Sequence, residues 1–376
     1  MTARLIYADS ERCADMYYAT GFFAPDPFVY VRDDDGTSHM LVSMLEVDRA
    51  RRVAKVDHVH EMGQLIKGYR KENSDESPKE GDLIAWFLGQ KNVSTVEVPS
   101  DFPLSMADVL RRKGISLKAV DGLFWPEREI KTDAEVGYIE EALRVTGLGM
   151  MAGIEMVRAT RIGADDVLML DGEPLTSERL RGEINATLVR LGAIPHHTIV
   201  SAGTQGADPH EEGYGVIKAH TSIIMDVFPR IERTGYFGDM TRTICRGEAP
   251  EIIKTVWQLV KEGQQLGFDQ VADGVSGKAV HNAITDLFTE RGFKTGVTDD
   301  GRQCGFFHGT GHGLGLEIHE SPRISSRDQI LRSGHVVTVE PGLYYPEWGG
   351  VRLEDVVLVG DGGCRNLTDV PKFLEV

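Results

Sequence analysis

The chain has 376 residues, 41% of them hydrophobic and 26% charged, which excludes a disordered protein and leaves room for two domains with separate cores. Its 41 Lys and Arg stand against 58 Asp and Glu, and the net charge of −17 repels polyanions, so neither nucleic acid nor an anionic membrane is expected as a partner. Cys13, Cys245, Cys304 and Cys364 lie far apart with no CxxC pair, which excludes a zinc knuckle or a disulfide frame. MTARLIYADSERC holds no continuous apolar segment, and nowhere do about 18 apolar residues follow one another. A soluble, cytoplasmic protein is expected.

In chain order, Ser10 is a candidate cap for a helix running to about Thr20, with Gly21 as its stop. FVYVR and HMLVSM flank DDDG, a hairpin signal. STVEVP reads as a strand, and Ser105 caps a short helix that Gly114 ends before the strand-like LKAV. A mixed sheet with helices follows. Near residue 126 the pattern changes. Thr132 and Glu135 form a capping box, and Ile139, Ala142, Leu143, Thr146 and Met150 recur at helical spacing. A domain boundary is expected there, with domains 1–128 and 129–376; the methionine-rich GMMAGIEM reads as core packing.

From about residue 195 the chain is strand-rich. Asp226 lies inside the apolar run IIMDVF and Asp239 inside YFGDMTRT. A turn through FPRIERTG would set the two acids side by side, and close like charges need a cation or a shared proton. Glu340 ends HVVTVE and Glu354 follows in GVRLEDVVLV, so strand, turn and strand recur with an acid on each arm. The acids are 13 positions apart in the first pair and 14 in the second, which predicts two hairpins facing one site. Four inward carboxylates demand about two divalent cations.

His312, in HGTGHGLGLEIHE, is flanked by Gly309, Gly311, Gly313 and Gly315, which break a helix but let backbone approach closely. It is the candidate fifth ligand, and imidazole favours Mn, Fe, Co or Zn over Ca or Mg. His308 and His319 are read as lining the site. His196, His197, His220 and His335 are read as having no role there.

These residues, in this order, resemble the M24 metallopeptidase family: an Asp, a second Asp in GDMTRT, a histidine in GHGLG, a glutamate in EPG and a last glutamate in RLED. The resemblance implies an α/β (α+β) chain with a C-terminal pita-bread domain. MYYATGFFAPDPFVYV resembles the smaller N-terminal creatinase-type domain of prolidase and aminopeptidase P. The resemblance further implies two divalent metal ions, Mn first with Co, Zn or Fe as alternatives. Asp226 would hold one ion, His312 and Glu340 the other, and Asp239 and Glu354 would bridge them. A hydroxide between the metals would attack the peptide bond, with Glu340 as proton acceptor.

By the same resemblance, His319 stabilises the tetrahedral intermediate, His210 assists at the substrate, and His308 lines the proline side. Arg323 matches a prolidase arginine for the substrate carboxylate, which favours a dipeptidase over an aminopeptidase. Arg352 braces a bridging carboxylate. Short proline-containing peptides are the expected substrates and a homodimer the expected assembly. The chain departs from the family where Val227 and Phe228 follow Asp226 in place of a small residue and glycine, and the loop to Asp239 is longer by two. That bears on substrate more than on metals. The alternatives are a metal-dependent hydrolase of a non-peptide C–N bond on the same scaffold and a non-catalytic binding module.

Overall fold

A computed structural model describes residues 2–73 and 77–376, which fall into two units, Met1–Arg128 and Glu129–Val376. The first is built on strands β1 (Thr2–Ala8), β2 (Phe28–Arg32), β3 (Ser38–Val42), β4 (His58–Glu61), β5 (Thr95–Val98) and β6 (Ser116–Ala119) in the order β4-β3-β2-β1-β5-β6. β2 and β3 pair antiparallel across DDDG, as the hairpin signal predicts, while β4, β5 and β6 pair parallel to their neighbours. Alternation along the strands sends side chains to both faces. Leu5, Val29, Val31 and Leu41 enter one core with Ile84 and Leu88, whereas Ile6, Phe28, Tyr30 and Met40 enter another with Met16 and Trp125.

Two helix starts differ from expectation. The first helix, α1, runs Ala14–Thr20 from an N-cap at Cys13. Ser10 instead stitches the chain entering α1 to the chain leaving it: its hydroxyl donates to the Phe22 carbonyl at 2.6 Å and accepts from the Ala24 N–H at 2.8 Å. Gly21 does end the helix, at φ 57°. The helix Leu104–Arg112, α2, begins after Pro103, so Ser105 lies within its first turn.

The register of β3 on β4 sets His39 opposite His58 and Leu41 opposite His60, gathering three imidazoles. His39 stacks on His58 at 5.0 Å, and its Nδ1 lies 3.3 Å from His60 Nε2. Asp33 and Lys91 close on His39 Nε2 from the other side. Burial holds His60 down at about 4, with the charges of His39, His58 and Lys91 adding to it. A depressed histidine is neutral in the folded chain and protonates in the unfolded one at about 6.5, so stability is lost as pH falls from about 6.5 towards 4. Hydrogen exchange across β3 and β4 is therefore expected to speed up from pH 7 to pH 5 after correction for intrinsic rates. His60→Gln is expected to flatten that dependence; an equal slope in the variant would refute it.

In the second unit, helix α3 (Asp133–Arg158) starts on the Thr132–Glu135 capping box. Its buried stripe includes Ile139, Ala142, Leu143, Thr146 and Met150, and it packs with helix α4 (Ser177–Arg190) in a core that takes in Ile184 and Leu188. Strands β7 (Ile199–Ala202), β8 (Ile223–Val227) and β9 (Met240–Ile244) form a three-stranded antiparallel sheet. Helices α5 (Glu251–Gln270) and α6 (Gly277–Glu290) cover a second core. Over it lies a five-stranded sheet of β10 (Gly311–Gly313), β11 (Glu320–Ile324), β12 (Val336–Val339), β15 (Asp355–Gly360) and β16 (Gly363–Asn366), ordered β11-β10-β12-β15-β16. Between β12 and β15 the chain makes a separate hairpin, β13 (Gly342–Tyr345) with β14 (Gly349–Arg352).

The second expected hairpin is thus two nested ones. Glu340 and Glu354 sit where the chain leaves and re-enters the large sheet, not in mid-strand. Among the described residues no helix is long and apolar enough to cross a membrane.

Candidate metal centre

Asp226 is the one residue of β8 not fully buried. Its neighbours Met225 and Val227 turn into the core while it faces a cavity of about 800 Å³. Cross-strand pairing sets it opposite Thr241 of β9. Asp239 is reached just before β9, after a glycine that must be one. A Cβ on Gly238 would meet Thr146 Oγ1 of α3 at 2.3 Å and the Ala142 carbonyl oxygen at 2.8 Å. His312 is delivered by β10, which lies so close to β12 that a Cβ on Gly311 would strike the Thr338 carbonyl oxygen at 1.9 Å.

Hydroxyls and one buried amide hold the two glutamates. Thr338 Oγ1 accepts from the His312 N–H at 3.1 Å and donates to Glu340 Oε1 at 3.3 Å. Thr241 Oγ1 donates to Glu354 Oε2 at 2.7 Å. Gln264, on α5 and 1% exposed, donates to the carbonyls of Val339 and Leu353, the residues immediately before Glu340 and Glu354. One side chain therefore fixes the approach of both acids.

Asp239, His312 and Glu354 each bring a potential ligand atom within 4.8 Å of the others. His312 Nε2 lies 3.6 Å from Asp239 Oδ2 and 3.3 Å from Glu340 Oε1. The other ring nitrogen, Nδ1, faces the Gly313 carbonyl at 3.1 Å. That bond places the proton on Nδ1 and turns the Nε2 lone pair towards the acids, the tautomer a metal ligand needs.

Asp226 stands somewhat apart: its Oδ2 accepts from Arg352 Nη2 at 2.7 Å. Arg352 was expected to brace a bridging carboxylate. It instead contacts Asp226 directly and reaches Glu354 only through Thr241, whose hydroxyl accepts from its Nε at 3.2 Å. The guanidinium sits on β14, one strand-end away from Glu354, and its fork is already filled by Asp226, Tyr344 and Thr241.

Burial raises Asp239 well above the usual carboxylate range, with Asp226 and Glu340 adding to it. Burial likewise raises Glu354, helped by Asp239 and Glu340. Glu340 is pushed up to about 8 by burial, against the pull of Arg352 and with the charge of Asp226 behind it. His312 is held down at about 3, first by burial and then by His319. Asp226 Oδ1 and Glu354 Oε1 are buried without a hydrogen-bond partner. Unpartnered carboxylate oxygens, crowded acids and an inward imidazole lone pair are the donor set a divalent metal satisfies, and the residues fit one.

His210, His308, His319 and Arg323 line the same cavity. His319 meets the His312 ring edge-on at 4.5 Å, and His210 is exposed. His308 is committed: Nδ1 faces the Gly309 carbonyl at 2.7 Å, and Nε2 lies 2.9 Å from the Tyr344 hydroxyl, which also accepts from Arg352. Because arginine can only donate, Tyr344 must donate to His308, which stays neutral with burial holding it at about 3. Register sets Arg323 of β11 opposite His312.

His197, read from sequence as having no role, reaches the cavity rim and faces Glu212 at 2.8 Å. Tyr344, Gln264, Phe307 and Arg327 also escaped the sequence reading. The tyrosine was visible in EPGLYY, four positions after Glu340, and Arg327 four after Arg323. Phe228, flagged as a departure, lines the cavity.

A buried set of acids with an inward imidazole at the floor of an open cavity defines a metal-dependent hydrolase site. Residues 137–361 match the description Metallopeptidase family M24, and the chain belongs to that family. A relative named "Xaa-Pro dipeptidase" from Pyrococcus horikoshii is 28% identical over 295 residues, 77% of each chain. The prolidase structure from Pyrococcus furiosus matches with a TM-score of 0.79 at 25% identity, covering 98% of this chain and 97% of that one. An X-Pro aminopeptidase structure from Thermotoga maritima matches with a TM-score of 0.83 over 100% and 98% of the two chains. At 23% identity the last likeness speaks to fold, which is the α/β pita-bread class the motifs imply.

A raised carboxyl keeps its proton on folding, so its stabilising share is full below the unfolded value near 4.5 and is lost as pH rises through the folded one. Chelator-treated protein is therefore expected to lose thermal stability from pH 5 to pH 8, and Glu340→Gln to lose less of it. Adding divalent metal is expected to raise the melting temperature most at the high end. Scanning calorimetry with and without chelator checks this; a metal-free protein that gains stability over that range would sink it.

Proposed function

We propose that the chain is a dinuclear-metal-dependent peptidase acting on Xaa-Pro bonds, with the dipeptidase form slightly preferred over the aminopeptidase. The metal ions, Mn first among them, supply an activated water and polarise the scissile carbonyl. Asp226, Asp239, His312, Glu340 and Glu354 would hold them, and Glu340, ionised once the cations displace its own proton, would accept the proton from that water. His319, exposed with its ring edge-on to His312, donates towards the developing oxyanion. His210 assists at the exposed edge. His308, its nitrogens engaged by Gly309 and Tyr344, offers the proline ring a fixed imidazole face and no proton.

The observation that carries the substrate assignment is Arg323. It lies half-buried in the cavity wall opposite His312, and among the described residues no carboxylate lies within 4.0 Å of it. A guanidinium kept without an acid in a chain of −17 suits a ligand that brings its own carboxylate, such as a dipeptide C-terminus. The names of the relatives agree with Xaa-Pro substrates. Residues 1–128 are proposed as the creatinase-type domain, and the homodimer and cytoplasmic location belong to the same reading.

Purified protein loaded with Mn is expected to cleave an Xaa-Pro dipeptide, with activity lost on chelation and restored by metal. Arg323→Ala is expected to lower kcat/KM for the dipeptide by about tenfold or more, the usual worth of a charge-assisted carboxylate contact. Cleavage of a Met-Ala peptide alone would refute the proline assignment, and inactivity with every one of Mn, Co, Zn and Fe would refute the enzyme.

A further inference from the structure

Four residues beyond Arg323, the cavity wall carries a further guanidinium, Arg327. It too has no carboxylate within 4.0 Å among the described residues. The two differ in depth. Arg323 is half-buried on β11, and burial lowers its pKa; Arg327 is exposed, past the end of that strand.

The loop that carries Arg327 is pinned at both ends. Gln329 accepts from the Arg323 N–H at 2.5 Å through its side chain and donates to Ser321 Oγ at 3.3 Å. Its carbonyl accepts from the Gly277 N–H at 2.8 Å. The Asp328 carboxylate, the nearest acid in sequence, is taken by the Ser276 hydroxyl at 2.6 Å. The Arg327 N–H donates to Ser325 Oγ at 3.2 Å. The backbone at Arg327 is therefore fixed while its head group is left without an acid.

We propose that Arg327 is a specificity residue that takes the free C-terminal carboxylate of Xaa-Pro-Xaa tripeptides, one residue further out than the dipeptide carboxylate held by Arg323. The inference rests on the Xaa-Pro reading of the site. Each added residue of extended peptide carries the terminal carboxylate outward by about 3.5 Å, and of the two cations Arg327 is the exposed one. Two tiers of cation accept two substrate lengths. Peptides longer than three residues place their carboxylate beyond both and gain from neither.

The test uses the metal-loaded full chain with Ala-Pro, Ala-Pro-Ala, the C-terminal amide of Ala-Pro-Ala, and Ala-Pro-Ala-Ala-Ala. The wild type is expected to prefer the free tripeptide over its amide. R327A is expected to lower kcat/KM for the free tripeptide by about fivefold, chiefly through KM, and for the amide and the dipeptide by no more than about twofold, as suits an exposed charge contact. R327K is expected to recover part of the loss. R323A is expected to damage the dipeptide most.

If the wild type is indifferent to amidation, or R327A harms the amide as much as the free acid, the inference is overturned while the peptidase reading stands. If the wild type cleaves none of the four peptides, both fall.

Discussion

Four carboxylates converge on the floor of one cavity, and among the described residues the only guanidinium in contact with any of them is that of Arg352, on Asp226. The rest of the catalytic unit is arranged around that imbalance. Without metal, protons must stand in, and the raised values of Asp239, Glu340 and Glu354 record it. Burying unpartnered carboxylate oxygens costs free energy, on the order of a few kcal/mol each. Such a site persists only if the surrounding fold fixes it more strongly than the acids repel, and if a ligand offsets the cost when bound.

Apart from Arg352 on Asp226 and Arg242 on the Glu354 carbonyl, the fixing is done by groups that carry no charge. Gln264 holds the carbonyls before both glutamates, Thr338 ties His312 to Glu340, and Thr241 ties Glu354 to the strand that follows Asp239. Each is a hydroxyl or amide, so each orients an acid without neutralising it. A lysine in any of these places would pair with a carboxylate and remove the charge a metal needs. Behind them, the Arg242–Asp355 ion pair at 2.8 Å lies buried, one residue along from Glu354 and three from Asp239. Arg242, which also donates to the Glu354 carbonyl, is thereby engaged by an acid of its own.

How much of this could be read from the sequence depended on whether the signal was periodic or positional. Acids embedded in apolar strand-like runs are conspicuous because they violate the pattern around them, so Asp226, Asp239, Glu340 and Glu354 stood out. The glycines about His312 did so for a similar reason, since they forbid a helix. The capping box at Thr132 was legible because its two partners are local. Ser10 misled because its hydroxyl bonds residues 12 and 14 positions away, a choice local propensity does not encode. The inner β13–β14 hairpin was hidden inside what looked like a single turn. Gln264 was invisible: a glutamine on an amphipathic helix declares nothing until the strands it holds are in place.

Chemistry and selectivity are also supported differently. The acids and His312 sit in strands or beside their ends, clamped by close backbone contacts, where a shift of one residue would turn them to the other face. The groups facing the outer cavity, namely Phe228, His210, Arg323 and Arg327, lie on loops or on an edge strand. Replacement there changes shape and charge without disturbing the register that gathers the acids. Phe228 shows the consequence: a bulky ring stands two residues after Asp226, on the chain leaving β8, yet Asp226 keeps its pairing with Thr241 and its contact with Arg352. The cavity wall can thus be redrawn while its floor stays fixed, and the proposed choice of substrate length accordingly falls to arginines of the wall and not to the residues that would hold the metal.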